Sequence, residues 1–215
     1  MDFIASYIKD PNPTKENGIT PIHSASQHGH TDIVIFLASK LNNLNEVIWG
    51  TGATPIYIAS LKGHTDIVKF LASKVDNQNE PRATNDGAIA VASLKGHIEI
   101  VEFLTSKVDN PNEPENDGVT PIYLASLRGH TDIVKILASK GNDPNAPRNN
   151  GWTPIHAAIG NGHAEVVKYL LSNVTEPNPP TPTVESLLEF ARQIRNSNMV
   201  EFLSSITKLN FLSVM

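Results

Sequence analysis

Five histidines, His30, His64, His97, His130 and His163, each follow a glycine, with one step of 34 residues and then three of 33. Two positions after each stands an acid: Asp32, Asp66, Glu99, Asp132 and Glu165. Imidazoles and carboxylates are common zinc ligands and general acid–base groups, so this ladder is where chemistry would have to be. Its spacing argues against it. Zinc needs ligand nitrogens about 2 Å away. Residues one period apart, if the period is one packed helix pair, stand on the order of 10 Å apart. A catalytic site also needs unlike groups to converge, and a periodic row offers the same group repeatedly. Each imidazole is therefore expected between two helices, bonded to the backbone of the adjoining turn. The acids are expected in first helical turns, complementing the helix dipole. His23 and His156 share a Thr-Pro-Ile-His context, and Tyr57 and Tyr123 replace them in two other copies, so no ligand role is required there. His28 alone falls outside the pattern. GTGATP (50–55) lacks the lysine and spacing of a phosphate loop, and no Gly-x-Ser-x-Gly elbow occurs. The expectation is no catalytic residue, no metal and no cofactor.

The elements that carry the ladder are legible. Upstream of each Gly-His lies GITPIHSASQH (18–28), GATPIYIASLK (52–62), GVTPIYLASLR (118–128) or GWTPIHAAIGN (151–161). Threonine caps a helix, and proline suits the first helical position because its missing N–H would be orphaned anyway. Glycine closes the helix by taking positive φ. One helix is thus predicted from about Thr54 to Lys62. A second follows at once, with Ile67, Val68, Phe70 and Leu71 at helical spacing, Asp66 in its first turn and Lys74 in its last. Links such as VDNPNEPENDG (108–118) suit extended turns.

Gly-x-Thr-Pro-hydrophobic-His/Tyr, then Ala-Ser or Ala-Ala, then Gly-His, at a 33-residue period, resembles the ankyrin repeat, strictly over about 17–183 and loosely at the ends. The resemblance implies an all-α fold: antiparallel helix pairs stacked as a solenoid with projecting hairpin-like loops. A lone pair cannot bury its apolar face, and neighbours complete it. The expected division is a half repeat over 1–16, repeats over 17–49, 50–83, 84–116, 117–149 and 150–183, and a degenerate capping repeat over 184–215. The third repeat lacks Thr-Pro, so its first helix is expected to start weakly at about Asp86–Ala88, with Asn85 standing for the turn glycine. NEVIWGTG (45–52) carries one extra residue and places Val47, Ile48 and Trp49 where other links are polar. FIASYIKDPN (3–12) echoes FLASKVDNQN (70–79), so either the chain is part of a longer array or that segment caps it alone. The apolar LNFLSVM at 209–215 is expected to fold back on the last unit.

Composition narrows the function. The 215 residues include no cysteine, which excludes disulfides and thiolate ligands, and the net charge of −5 comes without a basic tract. That disfavours nucleic-acid binding. Apolar runs reach about six residues, far below the roughly 20 that span a bilayer. MDFIASYIKD at 1–10 shows no signal pattern, so Asn173-Val174-Thr175 reads as a chance sequon and the expected location is intracellular, in cytoplasm or nucleus.

By the resemblance, binding falls to the concave face: the loop tips and the end of each first helix. The middle copies give Leu61-Lys62, Leu94-Lys95 and Leu127-Arg128, one apolar-basic pair at a 33-residue step, where the outer copies give Gln27-His28 and Gly160-Asn161. Lysine before a helix-closing glycine also complements the dipole, so the pairs have a structural reading too. Trp49 and Trp152 lie at loop positions, and tryptophan is enriched at binding hot spots. The expected role is a monomeric, non-catalytic interaction module for a protein segment that is apolar with acidic flanks. The alternative is the ankyrin part of a larger enzyme, channel or effector, which it would recruit or regulate.

Overall fold

The computed structural model describes residues 14, 18–74, 83–115, 117–140, 143–173 and 183–212, without the side chains of 83–86 and 208–212. The half repeat at 1–16 lies outside these residues apart from Thr14. Among them the chain is all-helical, and it forms two compact units: 1–92 with 97–109, and 93–96 with 110–215.

The first unit contains α1 (Pro21–His28), α2 (Thr31–Ala38), α3 (Pro55–Lys62), α4 (Thr65–Lys74), most of α5 (Ala83–Lys95) and α6 (Ile98–Thr105). The second contains the end of α5, then α7 (Pro121–Arg128), α8 (Thr131–Lys140), α9 (Pro154–Gly160), α10 (Ala164–Asn173), α11 (Val184–Gln193) and α12 (Ser197–Leu212). Each short link is a glycine and a histidine in α1–α2, α3–α4, α5–α6 and α7–α8, and such a link forces two helices into a hairpin. Within the first unit α1 packs on α3 and α2 on α4; within the second α7 packs on α9 and α8 on α10.

The predicted start and stop of α3 hold. Thr54 accepts a hydrogen bond from the Tyr57 N–H at 3.3 Å, Pro55 opens the helix and Gly63 closes it at φ 79°. Ile67, Val68 and Leu71 are buried as expected. Phe70 is only half-buried, and the Lys74 amine lies over its ring at 5.7 Å.

Two expectations fail. First, α5 does not begin at Asp86–Ala88 but at Ala83, and Asn85 is helical, not a left-handed turn residue. A Thr-Pro start is sharp because proline bars the preceding residue from α geometry; without it the helix runs on upstream. Its core is unaffected, since Ala88, Ile89 and Ala92 are fully buried. Second, residues 209–212 continue α12 as helix and do not turn back within it; 213–215 lie outside the described residues.

Candidate partner-binding site

Three histidines of the ladder clamp successive helix pairs together. The Nε2 atoms of His64, His97 and His163 hydrogen-bond the carbonyls of Gln27 (3.2 Å), Leu61 (3.4 Å) and Leu127 (3.2 Å). The bond therefore reaches one repeat back, not to the histidine's own turn. A Cβ added to Gly63 or Gly129 would lie 2.6 Å from His97 or 2.5 Å from His163, so glycine serves both the positive φ and the close approach. In the last pair Asn196 takes over, its Nδ2 donating to the Ile159 carbonyl at 3.0 Å, while Arg195 holds the turn at φ 56° without being glycine. Among the described residues no three His, Asp or Glu gather as metal ligands would.

His23 and His156 have a different task. The Nδ1 of His23 accepts from the Thr20 N–H at 3.2 Å and lies 2.8 Å from its hydroxyl, while Nε2 bonds the Glu46 carbonyl at 2.9 Å. This ties the first turn of α1 to the following loop. His156 caps α9 through Thr153 in the same way. Burial lowers both imidazole pKa values below the ordinary 6.5; at His23 the Glu46 carbonyl bond and carboxylate offset part of this. His28, the odd one out, is exposed, bonds the Ser24 carbonyl at 2.8 Å and stacks on His30 with centroids 6.0 Å apart.

The basic-leucine pairs fall at the ends of α3, α5 and α7. Leu61, Leu94 and Leu127 are each half-buried, and Lys62, Lys95 and Arg128 are each exposed. The first pair belongs to the first unit and the other two to the second. The backbone carbonyls of Leu61 and Leu127 are the ones the clamping histidines hold, which fixes these leucines in place.

The tryptophans stand on unlike loops. In the first unit the Ile48 N–H donates to the Ala53 carbonyl at 3.0 Å, closing a loop one residue longer than the Glu115–Val119 and Arg148–Trp152 closures of the second unit. Trp49 is 65% exposed, with the backbone of Gly18 beneath it, and Val47 beside it is 48% exposed. Trp152 is 41% exposed and meets Phe190 edge-on at 5.4 Å, with His156 at 6.4 Å. Phe190 comes from the degenerate last unit, and nothing in the repeat pattern pairs it with Trp152. The pattern also passes over Arg148, whose guanidinium lies 5.1 Å over the Tyr123 ring. Its signal in the sequence is a tyrosine 25 positions earlier, a spacing that Tyr57 and Arg82 repeat, at a loop position where other copies carry Ile48 and Glu115.

No helix of the described residues is long and apolar enough to cross a membrane. A family model of ankyrin repeats, described as three copies, matches residues 2–85, 89–181 and 141–210. No curated protein matches the chain.

Proposed function

Since this chain belongs to the ankyrin repeat family, we propose that it is a non-catalytic module that binds a partner protein through the ends of its first helices and its loop tips. Ankyrin repeats are generally protein–protein interaction modules and generally non-catalytic. The observation that carries the reading is the recurrence of one surface pair: a half-buried leucine followed by an exposed cation, at Leu61-Lys62, Leu94-Lys95 and Leu127-Arg128. A leucine serving only the core would be fully buried, as Ile56, Ile89 and Ile122 are on the same helices. Trp49 and Trp152 add exposed aromatic surface on the loops. The partner segment that fits is apolar with acidic flanks, bound by a monomer inside the cell. In this division residues 17–183 supply five repeats and 184–215 a cap.

The test compares proteins captured from lysate by the native chain and by Leu61→Glu/Leu94→Glu/Leu127→Glu, with circular dichroism as the fold check. A partner lost from the folded variant supports the leucine-cation pairs as the site. Equal capture by both removes them and leaves Trp49 and Trp152 as the recognition surface.

A further inference from the structure

We infer that Arg148 is a preformed receptor for an acidic side chain of the bound partner, an inference that rests on the partner-binding reading and names a contact within it. Arg148 is half-buried on the loop after α8. Its guanidinium stacks over Tyr123, itself buried, at 5.1 Å, and its Nη1 donates to the Tyr123 hydroxyl at a long 3.5 Å. Its Nε is shielded from solvent and has no acceptor among the described residues. Partly desolvated charges are normally paired, yet no described carboxylate pairs with this one: the ion pairs among the described residues are Lys135–Asp132 and Arg192–Glu189. Glu115, which holds the equivalent position one loop earlier, does not reach it.

The result is a cation whose plane is set and whose charge no carboxylate among the described residues compensates. Ordering a long side chain is a large part of what weakens surface ion pairs, and here the ring of Tyr123 has already ordered it. A guanidinium presents parallel N–H groups that a carboxylate matches in geometry and charge. Across the turn, the Arg148 N–H donates to the Trp152 carbonyl at 2.8 Å, so the cation and a 41% exposed indole belong to one closed loop. Lys95 and Arg128 of the same unit are exposed. An acidic side chain flanked by an apolar residue is the ligand that uses both groups, and its charge complements the guanidinium despite the net charge of −5.

The probe is a capped pentapeptide, acetyl-Leu-Glu-Leu-Glu-Leu-amide, titrated into the full, nitrogen-15-labelled chain, with its glutamine counterpart as control. The expected result is a saturable shift of the Arg148 Nε–H and the Trp152 indole N–H, with the Trp49 indole unmoved. Arg148→Gln abolishes the shift at Trp152. Arg148→Lys, which keeps the charge without the plane, weakens binding about tenfold. No saturable shift, an equal shift with the glutamine peptide, or an unchanged Trp152 response in Arg148→Gln overturns the inference. So does an equal shift from inorganic phosphate alone, which would make the site a general anion site. The leucine variants are scored separately: partner capture lost in the leucine triple variant with no Arg148 response leaves the broader reading intact and removes this one.

Discussion

Trp49 and Trp152 are the only tryptophans of the chain, both occupy loops between helix pairs, and the fold treats them differently. Trp152 sits in a loop of regular length and is gripped by His156 and Phe190. Trp49 sits in a loop lengthened by one residue and rests on Gly18, where a side chain could not fit: a Cβ there would lie 2.7 Å from the Trp49 nitrogen. The last unit sets a ring against Trp152, whereas Trp49 rests on the bare backbone of Gly18.

The largest effect should come from the glycine. Gly18→Ala combines positive φ (81°) with collision against Trp49, whereas Gly52→Ala has positive φ (66°) and open space. The expected losses are roughly 2–3 kcal/mol for the first and about 1 kcal/mol for the second, read from urea unfolding. Equal losses would mean that Trp49 moves aside freely and does not rest on Gly18 at all.

Next come the tryptophans themselves. Trp152→Ala should destabilise the chain by roughly 2 kcal/mol, below the full-core value because the ring is half exposed. Trp49→Ala should change stability by less than about 0.5 kcal/mol. With Trp49→Phe, Trp152 becomes the sole indole, and Phe190→Ala should then red-shift its fluorescence. An unshifted spectrum would show that Phe190 does not shield it.

The smallest effect is a pH dependence shared by the two loops through His23 and His156. Both have folded pKa values below 6.5, so the unfolded chain takes up protons more readily than the folded one. Their stabilising contribution is complete above pH 6.5 and declines as the pH falls through 6.5 toward the folded values. The urea midpoint should drop on acidification in this window, and less steeply in His23→Gln. A slope unaffected by that substitution would place the protonation elsewhere.

Much of the fold was legible because its determinants are local. Thr-Pro at 54–55 and 120–121 sets helix starts, glycine at 63 and 129 sets helix ends, and both act through backbone geometry within a few residues. The start of α5 was misread for the same reason: with the local signal gone, the helix extended to Ala83 while its buried positions stayed in register. The site was legible only as a pattern. The 33-residue recurrence marks Leu61, Leu94 and Leu127, whereas the contacts of Arg148 with Tyr123 and of Phe190 with Trp152 join residues 25 and 38 positions apart.

The sequence by itself determined the all-helical repeat, the helix boundaries signalled by Thr-Pro and Gly, and the structural standing of the histidine ladder. Periodicity and backbone restriction are properties of short segments repeated, and they need no knowledge of neighbours. Tertiary structure alone decided that each clamping histidine reaches back to the preceding repeat's carbonyl, that Trp152 meets a ring while Trp49 rests on backbone, and that Arg148 is stacked without a described counter-charge. These depend on which side chains adjacent copies place against one another, and burial, packing and pairing are set by that juxtaposition across the chain.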